Sequence, residues 1–238
     1  MDKTFLIITP FDVFLSMIPV VLVVAIFVKW SLEYKNVLYA MGRMLIQLIV
    51  IGYFLAFIFE ANSSWIVIIV LSVMIFFSGW ISLRTVQKLR SQLLLKSLYS
   101  ILLGAGLTLL FITQIVFRLE PWYQPRYMVP LAGMIFAGAM NSISLAGERF
   151  FAEIKREEKF TDARNAAYRA SLIPIMNSLF AVGLVSMPGM MTGQILSGVS
   201  PLVAIRYQIV VMGMLLCSAG FSSFLFLNFL KSANIAEV

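Results

Sequence analysis

Residues 183–198 read GLVSMPGMMTGQILSG. The stretch is apolar enough for a bilayer, yet it holds Gly183, Pro188, Gly189, Gly193 and Gly198, with Met187, Met190 and Met191 between them. Proline removes a backbone donor and clashes with the preceding turn, so a straight, continuous helix is not expected here. At membrane depth, irregular backbone persists only where protein covers it or a wet cavity satisfies it. The segment therefore reads as a pathway element of the kind that discontinuous helices build in transporters.

The whole chain shares this apolar character. It has 238 residues, 61% hydrophobic and 12% charged, with a mean hydropathy of +0.96. Soluble domains are nearer half apolar and about a quarter charged, so this is an all-α integral membrane protein, read as one transmembrane domain over 1–238. Cys217 is the single cysteine, which excludes a disulfide framework or a cysteine metal cluster. Histidine is absent, removing the commonest general base and metal ligand together. The opening MDKTFLIITP lacks a basic n-region and a small-residue cleavage site, so the first apolar run is expected to stay in the protein.

A membrane-crossing helix needs about 20 mostly apolar residues. Candidates run over 11–28, 44–59, 65–81, 93–117, 128–145, 172–196 and 208–230, about seven in all. The second extends back through Gly42 and Ala40, and the sixth is interrupted by Pro174 and Pro188. Seven spans put the termini on opposite sides, and the positive-inside bias orients them. With the N-terminus outside and the C-terminus cytoplasmic, the inner segments carry Lys29, Lys35, Arg43, Arg84, Lys88, Arg90, Lys96, Arg149, Lys155, Arg156, Lys159, Arg164, Arg169 and Lys231. The outer segments carry Lys3, Arg118, Arg126 and Arg206. The net charge of +7 thus reports topology and contact with anionic lipid, not nucleic acid. Trp30, Trp65, Trp80 and Trp122 all fall at expected span ends.

The one sizeable polar segment, within 146–171, is cytoplasmic in this topology. Phe150, Phe151 and Ile154 line one face, with Glu153, Lys155, Arg156, Glu157 and Glu158 elsewhere on the surface. Thr161 is a reasonable N-cap for a second short helix through Ala170. The pattern suits an amphipathic helix pair at the membrane surface, either simply solvated or coupling the membrane domain to a partner.

Polar side chains inside spans are expensive, which makes them informative. Gln47, Asn141, Ser142, Asn177 and Ser178 are candidate substrate-pathway residues. Asn141 follows Ala137 by four and Ser142 follows Gly138 by four, so one side of that helix is small and polar. The same spacing also permits close helix packing with amide bonding across it. Met187, Met190 and Met191 read as packing or as pore lining. Gly183, Pro188, Gly189 and Gly193 form a candidate gate or helix break. No carboxylate falls mid-span, which argues against a proton-coupled antiporter. No catalytic, cofactor-binding or metal-ligating set is present, and no G-x-x-x-x-G-K-[ST] loop occurs to hold a nucleotide.

Three blocks carry a family resemblance: GRMLIQLIVIGYFLAFIF at 42–59, VPLAGMIFAGAMNS at 129–142, and LIPIMNSLFAVGLVSMPGMMTGQILSGVSPLVAIRYQIVV at 172–211. They resemble the FetB-type permease family, the membrane halves of small ABC exporters, with plant relatives linked to aluminium tolerance. The resemblance implies a multi-pass permease of the inner (plasma) membrane that is not itself an enzyme. It implies a homodimer driven by a separate ABC ATPase in two copies, exporting iron or another metal ion or complex. Under it, Glu153, Arg156, Glu157, Glu158, Arg164 and Arg169 would couple to the ATPase. The inner loop departs from the family pattern at IKREEKFTDA, 154–163. The alternatives are an energy-independent channel or carrier, or ABC export of an organic solute such as a nucleotide sugar.

Overall fold

The structure, a computed structural model, describes residues 8–60 and 63–231, so Lys3 lies outside the described residues. It is helical, with no named strand among the described residues, and it divides at Glu60 into two compact units.

The first unit holds α1 (Pro10–Lys29) and α2 (Tyr34–Glu60). Thr9 starts α1 with a reciprocal capping box: its hydroxyl accepts from the Asp12 amide at 3.3 Å, and the Asp12 carboxylate accepts from the Thr9 amide at 2.8 Å. Pro10 occupies the first turn, where its missing N–H costs nothing. Most large apolar side chains of both helices are exposed, as lipid-facing surfaces require.

The second unit holds α3 (Ser64–Ser82), α4 (Arg84–Val116), α5 (Pro125–Ile154), α6 (Phe160–Ala181), α7 (Gly189–Leu196) and α8 (Pro201–Leu230). α5 is its axis. Leu131, Ile135, Phe136, Ala139, Ser142, Ile143, Ala146 and Phe150 recur at helical spacing, and all are buried. α3, α6 and α8 pack around it. α4 opens on a 3-10 turn (Arg84–Leu89) and later contains two π-helical stretches, Ile101–Gly106 and Ile112–Val116. The first π stretch brings Gly104 onto α8 so closely that a Cβ there would lie 2.6 Å from the Ser222 amide and hydroxyl.

Six of these helices, α1 to α5 and α8, are long and apolar enough to cross a membrane. They match the first five expected spans and the last. The chain is thus a multi-pass membrane protein. The remaining stretch, 172–196, is not one helix: it comprises the second half of α6, a loop at 182–188, and α7. The structure departs from the sequence expectation around this stretch. Pro174 does not interrupt anything, because α6 runs through it to Ala181. Residues 147–171 do not form two short surface helices, because they are the end of α5, a turn, and the start of α6. Lys159 caps α6 with extended dihedrals, so Thr161 lies inside the helix instead of at its N-cap.

Candidate substrate cleft and its gate

α5 and α6 are antiparallel neighbours joined by the turn at 155–159, and α8 closes their other side. The three meet at Ser142, whose hydroxyl reaches the carbonyls of Ala219 at 3.1 Å and Ser171 at 3.3 Å. Beside this junction opens a cleft of about 280 Å³. Its polar lining is Asn141, Ser142, Ser171 and Ser178; Met134, Pro174 and Leu215 are among its apolar walls.

The hydroxyl protons of this lining are committed to backbone. Besides the Ser142 contacts, Ser171 donates to the Tyr168 carbonyl at 2.8 Å and Ser178 to the Pro174 carbonyl at 2.9 Å. What remains for a guest is oxygen lone pairs, together with the exposed Asn141 amide. Pro174 adds to this character, since without an N–H it leaves the Ala170 carbonyl without its helical donor. The lining is neutral and mostly apolar, with a few oxygen acceptors set into it. No group of three or more His, Cys, Asp or Glu residues poised for a metal occurs among the described residues.

Of the sequence-derived pathway candidates, Asn141, Ser142 and Ser178 line this cleft. Asn177 is exposed and is not part of the lining, and Gln47 belongs to the other unit. Met187 is exposed, while Met190 packs against the hydrophobic core and Met191 is half-buried; none of them lines the cleft. Ser171 was not among the candidates. Its signal was present, because Ser171, Pro174 and Ser178 fall at i, i+3 and i+7 and so share one helical face.

Beyond α6 the backbone satisfies itself in a compact loop. Val182 (φ −63°, ψ 129°) and Gly183 (φ +81°) have the geometry of a type II turn, closed by the Leu184 amide on the Ala181 carbonyl at 3.2 Å. The Ser186 amide also reaches Ala181, at 3.1 Å, and the Gly183 amide reaches Ser186 at 3.0 Å. Pro188 then caps α7, which Gly189 begins. Gly193 lies inside α7 and breaks nothing; the helix ends instead at Gly198 (φ +90°). There the Val199 amide bonds Gln194 at 3.0 Å and the Gly198 amide bonds Ile195 at 2.9 Å, a Schellman closure.

At the far end of α5, Glu153 is buried, contrary to its expected surface position. Its carboxylate lies 2.5 Å from the Arg149 guanidinium and 3.8 Å from that of Arg156. Arg156, Glu157 and Glu158 are exposed on the turn that follows. On α6, Arg164 is half-buried against Asn165, and Arg169 is exposed.

Residues 10–234 match the family model described as "Uncharacterised protein family (UPF0014)". The chain is 39% identical over 198 residues to UPF0014 membrane protein slr1647 of Synechocystis, covering 76% of each chain. It is 34% identical to the probable iron export permease protein FetB of Escherichia coli, over 82% of this chain and 79% of that one. Protein ALUMINUM SENSITIVE 3 of Arabidopsis thaliana is 32% identical, over 86% of this chain and 80% of its own length. No solved structure matches. The chain belongs to the UPF0014 membrane protein family, the FetB-type family that its three sequence blocks resemble.

Proposed function

We propose that this chain is the permease subunit of an ATP-driven exporter in the inner (plasma) membrane, passing a small metal ion through the α5–α6–α8 cleft. The observation that carries this reading is the continuity of α6. One helix links the charged turn at 155–159, supplies Ser171 and Ser178 to the cleft, and ends at the glycine turn. A displacement at the turn would therefore act on cleft and gate together.

The orientation follows the charges. The end of the second unit where α3 meets α4 and α5 turns into α6 holds Arg84, Lys88, Arg90, Arg149, Lys155, Arg156 and Lys159, and α8 finishes there at Lys231. The opposite end holds Arg118, Arg126 and Arg206. The positive-inside bias makes the first end cytoplasmic, where an ATPase would dock on Arg156, Glu157 and Glu158. The chain has no phosphate-binding loop, so a separate ATPase supplies the energy, two copies serving a homodimer of this chain.

Iron is supported as cargo by the name of the Escherichia coli relative. The test is reconstitution of the chain with its ATPase in proteoliposomes loaded with iron, manganese, copper or zinc. ATP-dependent efflux of iron supports the reading. Efflux without any ATPase would make the chain an energy-independent channel, and an ATPase that neither binds nor hydrolyses faster in its presence would refute the coupling.

A further inference from the structure

The corner where α3 meets α4 carries an unbalanced charge that transport does not use. Between Glu60 and Glu120 the chain has no Asp or Glu, yet Arg84, Lys88, Arg90 and Lys96 fall within residues 84–96. Lys96 is accounted for, since its ammonium donates to the Phe229 carbonyl at 2.9 Å. The other three have no carboxylate partner among the described residues. The ion pairs found there belong to Glu153 on α5, and the only other carboxylate on that facing helix, Glu148, pairs with none of the three.

The local fold displays these cations outward. Leu83 is fully buried, and Val86 and Leu89 pack against the core, which leaves Arg84 and Lys88 exposed on the 3-10 turn. The Arg90 guanidinium lies 4.6 Å from the centre of the Trp80 ring, and its Nε is buried without a hydrogen-bond partner. Trp80 in turn stacks on Phe76 at 6.4 Å. Both rings are exposed on α3, so a ladder of apolar rings leads along the helix and ends on a guanidinium. Tryptophan prefers headgroup depth, and arginine binds phosphate through two parallel N–H donors.

We propose that this corner binds the phosphate of an anionic phospholipid, held by Arg84, Lys88 and Arg90, with the acyl chains lying along Trp80 and Phe76. A free anion would use the cations but leave the exposed rings uncovered, so the ladder selects the lipid over soluble phosphate. This inference requires only that the protein sits in a bilayer, and it stands or falls separately from the ATPase reading.

The test uses the full chain in nanodiscs, with Trp30, Trp65 and Trp122 replaced by Phe so that Trp80 reports alone. Acyl-brominated phosphatidylglycerol, titrated into phosphatidylcholine, should quench Trp80 at lower mole fraction than brominated phosphatidylcholine does. Arg84→Gln with Lys88→Gln, both at exposed positions, should weaken the phosphatidylglycerol preference by about fivefold per charge. Lys155→Gln with Lys159→Gln at the α5–α6 turn should leave it unchanged. Equal quenching by the two lipids, equal weakening by both variant pairs, or displacement by millimolar inorganic phosphate would overturn the proposal. So would loss of a co-purifying protein partner from the Arg84/Lys88 variant with the lipid preference intact, which would make the corner a protein-docking site.

Discussion

The α4–α8 crossing and the loop that follows α6 are both built on glycine, for opposite reasons. At Gly104 the requirement is space: another backbone lies where a side chain would go. At Gly183 and Gly198 nothing lies within 4 Å of where a Cβ would sit, and the requirement is a left-handed dihedral. The first region is locked by its neighbours, so it cannot move without separating two helices. The second is held by backbone hydrogen bonds made within it. One sequence thus uses glycine in one place for close packing and in the other for turn geometry.

The largest expected effect breaks the close packing. Gly104→Val should cost about 3 kcal/mol by overpacking, read as a fall in the unfolding midpoint of detergent-solubilised protein. A second test addresses the ion pair just before the turn at 155–159. Glu153→Gln loses an i, i+4 ion pair with the half-exposed Arg149 and should cost about 1 kcal/mol, whereas Glu148→Gln, at an exposed neighbour, should stay within about 0.5 kcal/mol. Gly183→Ala forces alanine into the left-handed region for about 1–2 kcal/mol. Because that strain is confined to the loop, the global midpoint should barely move while transport slows. Gly193→Ala, inside α7 with open space around it, should instead stabilise that helix by about 0.5–1 kcal/mol.

The smallest stability effects separate the cleft from its support. Asn141→Ala removes an exposed amide and should leave the midpoint within about 0.5 kcal/mol, yet lower the transport rate. Ser142→Ala should cost about 1 kcal/mol because it loses its contacts to α6 and α8. If Asn141→Ala transports normally, the cleft is packing and not passage.

The sequence shows the spans plainly, since uninterrupted apolar runs have few ways to satisfy a bilayer; 11–28, 65–81 and 208–230 each fall within a single long helix. The polar stretch before Leu172 is harder to read. Its charges conceal that α5 and α6 continue through it, because helix continuity there depends on the α5–α6 contact and not on apolar periodicity. Pro174 misleads for a related reason: a lost backbone bond ends an isolated helix but not one packed against neighbours. The burial of Glu153 was not legible, because an i, i+4 pairing with Arg149 reads as a surface ion pair. Lys159 as a cap was not legible, as it contributes dihedrals and no side-chain bond. The cleft was half visible: the small and polar side of α5 could be read, but the face of α6 opposite it only once the two were paired.

We propose that α6 carries motion from the turn at 155–159 to the loop at 182–188. It is tested most directly by spin labels at positions 185 and 202, both exposed, in a Cys217→Ser background reconstituted with the ATPase. The account predicts that the distance distribution shifts between the nucleotide-free and ATP-trapped states. It also predicts that Gly183→Ala suppresses the shift. An unchanged distribution in a preparation that exports its cargo would contradict it.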